Sequence, residues 1–436
     1  MQRTIKTLSI ENNPNCKENL LIWAQQFDTA IWLDSNNYKQ QYTSFQAALA
    51  VDEFTAIKTD FTNAFDKLKE YQSVTKDYIF GYLSYDLKND VEQLSSSNFD
   101  GLRFADLYFF QPQKLIFIKN KTIEFHYLPL VDDEIEKDFN AIIHNVNSSK
   151  SNNLALENSL DIKARISKKE YLQKINKMLD HIKRGDIYEA NFCQEFYVEN
   201  TEIDPLTIYN NLNAISEPPF AVFLKIEHQY LLSASPERYL RKQGGKIISQ
   251  PIKGTAKRLP NTNEDLKSAL RLERDIKEQS ENVMIVDLVR NDLSKSAKKG
   301  SVRVEELCKI YSFKQVHQMI STVVSDIKEE THAITVLKDT FPMGSMTGAP
   351  KVSAMNIIES LEETKRGLYS GAVGYFTPNG DFDFNVVIRS ILYNQKQHYT
   401  SYSVGSAITS KSIPENEYQE CLLKAAAMRY VLSNAK

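Results

Sequence analysis

Strand-like runs and long helical stretches are interleaved along this chain with no regular strand–helix–strand beat, and that irregularity narrows its folds more than any other feature. A parallel, doubly wound sheet needs a crossover helix between successive strands. Here β-branched and aromatic runs follow one another instead: Tyr78–Leu83 and Lys114–Ile118, then Phe220–Leu224, Tyr230–Ser233, Lys246–Ser249, Gly371–Phe376, Phe384–Leu392 and His398–Val404. The pattern predicts an α+β fold, with mixed or antiparallel sheets packed against helices. No repeat of fixed period is visible, which excludes solenoids and propellers.

One seam interrupts the pattern. The stretch Asn147–Asn153 is short-chained, polar and aperiodic, as surface connectors are. It predicts an N-terminal region over 1–160 and a second region over 165–433. Just beyond it, Ser167-Lys168-Lys169-Glu170 has capping-box spacing and opens an amphipathic helix through Ile175, Met178 and Ile182 that stops at Gly185. The 53 basic and 56 acidic residues leave a net charge of −3 without any long basic block, so nucleic acid is not an expected partner. No stretch of ~18 apolar residues occurs, so neither is a membrane, and with no apolar leader the expected compartment is the cytoplasm. Cys16, Cys193, Cys308 and Cys421 are too scattered for a metal knuckle and too few for a disulfide framework, and they read as reduced, buried thiols.

Two helical segments carry the first hint of chemistry. A long helix over 263–293 would place Glu278 and Glu281 on one face, ahead of the apolar Met284, Ile285 and Leu288. A second, opened by the capping spacing Ser412-Ile413-Pro414-Glu415, repeats the pair as Glu417 and Glu420, with Lys424 one turn on. Oxygen-only donors suit Mg²⁺, although solvated helices carry acid pairs at this spacing too. Between these segments and the seam, Pro251-Ile252-Lys253-Gly254-Thr255 ends a strand-like run, and Gly254 allows a sharp turn and close approach. Lys253 there is either a surface lysine beside a turn or an amine aimed into a site. A nucleophilic amine must be neutral, which calls for desolvation or a neighbouring cation.

Taken in order, five blocks resemble the chorismate-utilising enzymes: Ser235-Pro236-Glu237-Arg238; Pro251 to Thr255; Glu281 to Asp292; Gly344-Ser345-Met346-Thr347-Gly348-Ala349-Pro350-Lys351; and Glu417-Tyr418-Gln419-Glu420. The resemblance covers roughly 167–432 and implies the anthranilate synthase component I-like fold. The Pro-Ile-Lys-Gly-Thr form is similar to the aminodeoxychorismate synthase branch, whereas anthranilate synthases typically carry Ala in place of the lysine. It implies that Lys253 attacks C2 of chorismate, that the C4 hydroxyl leaves, and that ammonia then adds at C4. Isochorismate-forming relatives carry a water-activating Lys where this chain has Glu189.

The same resemblance implies Mg²⁺ on Glu281 and Glu420, supported by Glu278 and Glu417, and a role for Glu237 near the leaving hydroxyl. Thr255, Ser345, Tyr369, Arg389, Gly405 and Lys424 are implied to hold the substrate. Two positions depart from the family pattern. A histidine normally precedes the block that reads Met319-Ile320-Ser321 here, but that position is Gln318, with His317 one residue earlier; either is a candidate for the catalytic role. Ser406-Ala407 stands where relatives carry further glycines. Trp32-Leu33-Asp34-Ser35 resembles the segment lining a tryptophan pocket in relatives, and reads equally as a strand ending in an Asp-Ser turn. No Gly-x-Cys-x-Gly elbow surrounds a cysteine, so a separate glutamine amidotransferase subunit, aminodeoxychorismate synthase component II, is the expected source of ammonia. The alternatives are anthranilate synthase component I and a non-catalytic paralogue that binds chorismate or tryptophan.

Overall fold

The computed structural model describes residues 2–11, 13–38, 41–144 and 160–434. The polar connector at 147–153 lies outside them. With 34% helix and 35% strand in a large antiparallel sheet, neither element dominates, and the expected α+β class holds.

The strand Leu107–Lys119 is the hub, pairing with both Ala47–Thr59 and Ile79–Leu83. From Ala47–Thr59 one arm of the sheet runs through Thr29–Asp34, Phe220–Ile226, Gln229–Ser235, Ser390–Asn394 and Tyr399–Thr409 to Glu189–Val198. From Ile79–Leu83 the other runs through Ala372–Phe376, Phe382–Val386, Arg238–Gln243 and Lys246–Gln250 to Val316–Asp326. The strand Ile252–Lys257 pairs onto that last member. Strands from both sides of the 150–165 seam thus share both arms. Burial explains the sharing: all five residues of Ile79–Leu83 are buried, which a lone two-layer edge could not achieve. Phe80 lies opposite Tyr375 across this junction, with the rings stacked at 5.4 Å. Such pairs add about 1 kcal/mol beyond area burial.

Helices Lys168–Arg184, Pro205–Ser216 and Pro414–Ser433 cover the first arm, while Ile276–Ser294 packs on Val316–Asp326 and Ile252–Lys257 of the second. The two acid-bearing helices are therefore mounted on different arms. The Ser167–Glu170 capping box forms as the spacing requires, and Gly185 closes that helix with φ of 84°.

Three expectations are corrected. The single helix over 263–293 is two, Thr262–Glu273 and Ile276–Ser294, because the Asp275 carboxylate accepts the N–H groups of Lys277 and Glu278 and starts a new helix. The capping box at Ser412 does not form: Ser412 accepts the Thr409 N–H, Glu415 pairs with Lys168 at 2.7 Å, and Pro414 alone marks the start. The strand over 384–392 breaks at 387–389, where Arg389 adopts φ of 54°. All four cysteines are free, but Cys308 is only half buried. Among the described residues no helix is long and apolar enough to cross a membrane.

Candidate active site

The far strands of the two arms meet at a single ion pair. Lys253 Nζ lies 3.0 Å from Glu189 Oε1, and the two side chains are only 11% and 2% exposed. Gly254 makes this approach possible: its φ is 93°, and a Cβ there would press on Glu278 Oε2 at 3.1 Å and Met319 Cβ at 3.2 Å. The Asn282 carboxamide donates to the carbonyls of Lys253 and Met319, fixing the strand onto the helix behind it. Burial pulls the Lys253 ammonium down, as a desolvated amine requires. The charge and hydrogen bond of Glu189, aided by Glu281 and Glu237, outweigh burial and hold the ammonium above its ordinary value. Glu237 faces the same amine from the turn before Arg238–Gln243. Burial pushes its carboxyl up to about 7, against the pull of Ser345, Lys253 and the Ile252 N–H.

Beyond Lys253 stand the four helix-borne acids. Lys277 feels all of them: burial lowers its ammonium, but Glu281, Glu417, Glu278 and Glu420 together raise it above the ordinary value. Burial raises Glu281 to about 7 and also raises Glu278. Glu420 keeps 43% of its side chain exposed, and Lys424 at 2.6 Å, with Lys253 and Lys277 adding to the effect, outweighs partial desolvation and holds it below the usual carboxylate range. Glu417 accepts a hydrogen bond from Ser406, one of the two residues in the place of glycines. The acids thus share one neighbourhood, three of them with a partner of their own, and among the described residues no three acid, His or Cys side chains are arranged to hold an ion as they stand. Their chemistry fits Mg²⁺, which takes one or two carboxylates and completes its shell with water and substrate oxygens.

The third group is suited to anions. Arg389 donates to the Lys424 carbonyl at 3.2 Å and, among the described residues, forms no salt bridge. Burial lowers its guanidinium, against the opposing pull of neighbours that include Tyr369 and Glu420. The broken strand presents it, since a continuous ladder would have kept residue 389 in register. Gly405 lies opposite Cys193, and a Cβ there would come within 2.5 Å of Asn191 Oδ1 and 2.6 Å of Cys193 Sγ. Lys424 donates to the Gly405 carbonyl at 2.9 Å. Tyr369 is buried beside Cys193 at 3.8 Å, Ser345 is buried beside Glu237, and Thr255 is exposed.

Alternation along Val316–Asp326 separates the two candidates at 317 and 318. His317 has both ring nitrogens occupied, Nε2 by Asp265 at 2.9 Å and Nδ1 by Ser312 at 2.8 Å. Gln318 lies opposite Thr255, and its Oε1 is buried with no partner. Two members were not among the residues nominated from the sequence. Glu189 was noted there only as the residue occupying another enzyme's lysine position, and no local spacing links it to Lys253, 64 positions away. Lys277 sits directly before Glu278, and its placement at the centre of the acids needed the second helix. Apart from these, Asp34 and Ser35 line a small cavity walled by Phe45, Phe220 and Tyr375. Asp34 pairs there with Lys17 at 2.7 Å, and the Ser35 hydroxyl donates to the Gln46 carbonyl.

The family model described as chorismate binding enzyme matches residues 28–430. A probable aminodeoxychorismate synthase, chloroplastic, from Oryza sativa subsp. japonica is 34% identical over 85% of this chain, which spans 46% of that protein. Anthranilate synthase component 1 of Aquifex aeolicus is 31% identical over 87% of this chain and 82% of its own length. Anthranilate synthase component I from Streptococcus pneumoniae TIGR4 superposes with a TM-score of 0.76 at 26% identity, covering 90% of this chain and 95% of that one.

Proposed function

The chain belongs to the chorismate-binding enzyme family, and from that footing we propose that it is the chorismate-aminating component of an aminodeoxychorismate synthase, serving the route to 4-aminobenzoate and folate. The observation that carries this reading is the placement of Lys253. A buried amine held at 3.0 Å by Glu189, with the charge of Glu237 also acting on it, supports a covalent step at this side chain over a surface role.

In this reading Lys253 attacks C2 of chorismate and the C4 hydroxyl departs. Glu237, whose carboxyl is raised to about 7, retains a proton near neutral pH and gives it to that oxygen. Ammonia from a glutamine amidotransferase subunit then forms the bond at C4 and expels the lysine. Arg389, Lys424 and Tyr369 orient the two substrate carboxylates, while Gly405 lets the backbone approach them, with Thr255 and Ser345 completing the wall. Gln318 offers its unpartnered carboxamide to the leaving oxygen. Glu281 and Glu420 would hold Mg²⁺, backed by Glu278 and Glu417, and the bound ion would neutralise this cluster against a substrate carboxylate and act as a Lewis acid. The cavity at Asp34 and Ser35 is read as a tryptophan site, and added tryptophan should then raise the melting temperature.

The second reading, anthranilate synthase component I, is favoured by the extent of the Aquifex match. Incubation with chorismate, Mg²⁺ and ammonium, with identification of the product, separates the two. Aminodeoxychorismate supports the proposal; anthranilate as the main product overturns it. Turnover without ammonia would mark an isochorismate-type enzyme, and chorismate binding without turnover a non-catalytic paralogue.

A further inference from the structure

Glu189 is the side chain whose position the proposed reaction leaves unexplained. It is 1% exposed, and its backbone is packed tightly against the paired strand Gly348–Ala349: a Cβ on Gly348 would stand 2.1 Å from the Glu189 carbonyl. One carboxylate oxygen holds the Lys253 ammonium at 3.0 Å, whereas the other, Oε2, is buried with no donor at all. A carboxylate serving only as a counter-ion is stabilised by having both oxygens satisfied. A half-satisfied buried carboxylate touching an ammonium has an oxygen free to take a proton. The pairing otherwise works against the lysine, since it favours the charged form that cannot attack.

We propose that Glu189 is the catalytic base that removes the proton from Lys253, an inference that rests on the lysine-adduct reading above. The Nζ proton passes to Glu189, and the neutral amine forms the N–C2 bond while the ring double bond shifts and the C4–O bond breaks. The Glu237 proton leaves with that oxygen as water. Ammonium then returns a proton to Glu237, and the ammonia so formed bonds to C4. The C2–Nζ bond breaks with its electron pair going back to Lys253, which recovers its proton from Glu189. Every proton is thus accounted for: one ammonium enters and one water departs per turnover. The charged groups bearing on Lys253 are Glu189 from one arm, Glu237 from the turn before Arg238, Glu278 and Glu281 from one helix, where Lys277 stands among the acids, and Glu420 from the other, where Lys424 pairs with it. Of these, only Glu189 is hydrogen-bonded to the amine.

The test follows the covalent half-reaction alone. Wild type, Glu189→Gln and Glu189→Asp are mixed with chorismate and Mg²⁺ without ammonia, quenched at intervals, and weighed by intact-protein mass spectrometry across pH 6 to 10. Removal of a general base is expected to slow adduct formation at neutral pH by about 10²-fold or more in the Gln variant, with recovery only as alkaline solvent strips the lysine directly. The Asp variant is expected to be slower than wild type while keeping its neutral-pH activity. A Gln variant that forms the adduct at or above the wild-type rate at neutral pH overturns the proposal, since loss of a mere counter-ion would free the amine. Should the Gln variant not fold, an Asp variant at full wild-type rate overturns it equally. No adduct in wild type overturns the lysine reading itself and this inference with it, whereas adduct formation indifferent to residue 189 overturns only the latter.

Discussion

Replacing Glu237 with Gln should make the protein more stable at alkaline pH while removing its activity, and the size of the effect can be worked out in advance. The carboxyl is raised from 4.5 to about 7 chiefly by burial, so ionising it costs more in the folded chain than in the unfolded one. A group raised in this way contributes its full stability below its unfolded value and loses it as pH climbs towards the folded value. At about 1.4 kcal/mol per unit, the loss between pH 4.5 and 7 is about 3 kcal/mol and then levels off. The neutral carboxamide retains an acceptor for Ser345 and the Ile252 N–H but has no charge to bury. The two proteins should therefore match near pH 4 and diverge to about 3 kcal/mol by pH 8. For a chain of 436 residues, with an unfolding entropy near 0.9 kcal/mol/K, that gap is about 3 °C in melting temperature. Paired thermal melts across pH 4 to 9, alongside product assays, read out both effects. A melting difference that stays flat across that range would refute the argument that Glu237 is buried with a raised proton affinity, and with it the source of the departing hydroxyl's proton.

If the proposed reaction holds, Lys253→Ala should abolish amination while calorimetry still detects chorismate, because the proposal places the side chain in the covalent step. Glu281→Gln and Glu420→Gln should each raise the Mg²⁺ concentration for half-maximal turnover about tenfold or more, as measured by titrating the metal into the activity assay. Gly405→Ala should cost about 1–3 kcal/mol in melting experiments and weaken chorismate binding, since its methyl group would intrude on Asn191 and Cys193.

The sequence revealed elements more readily than their limits or their meeting points. Burial patterning located the strands, but Phe384–Leu392 read as unbroken because Ile388 and Arg389 suit a strand by composition, and only a positive φ interrupts it. The helix over 263–293 read as unbroken because Arg274 and Asp275 are tolerated inside helices, and the Asp275 cap prevails only once its carboxylate finds the free N–H groups. The acids could be nominated from helix spacing, Lys253 from one of five ordered blocks, and Arg389 from the resemblance that those blocks carry. The neutral state assumed for the amine could not be checked that way, because its charge is set by Glu189 on the other arm, and local periodicity carries no information about strands that meet only after both arms have closed.

That closure also bears on the divalent cation proposed for the site. Glu189, Glu237, Glu278, Glu281, Glu417 and Glu420 are opposed by Lys253, Lys277, Lys424 and Arg389, leaving two carboxylates in excess, or one when Glu237 keeps its proton. A substrate bearing two carboxylates would enter a pocket already negative, at a place where burial reduces the screening that makes surface repulsion mild. In the proposed reaction Arg389, Lys424 and Tyr369 would orient both of those carboxylates. A carboxylate near the helix acids would meet strong repulsion, with Lys277 the ammonium that all four acids act on. One further positive centre bearing two charges would offset the two that the substrate brings, and the acids that create the deficit are the groups able to bind it. The helices supplying them ride on different arms, so the cation would also bind the arms together at the point where Lys253 meets Glu189.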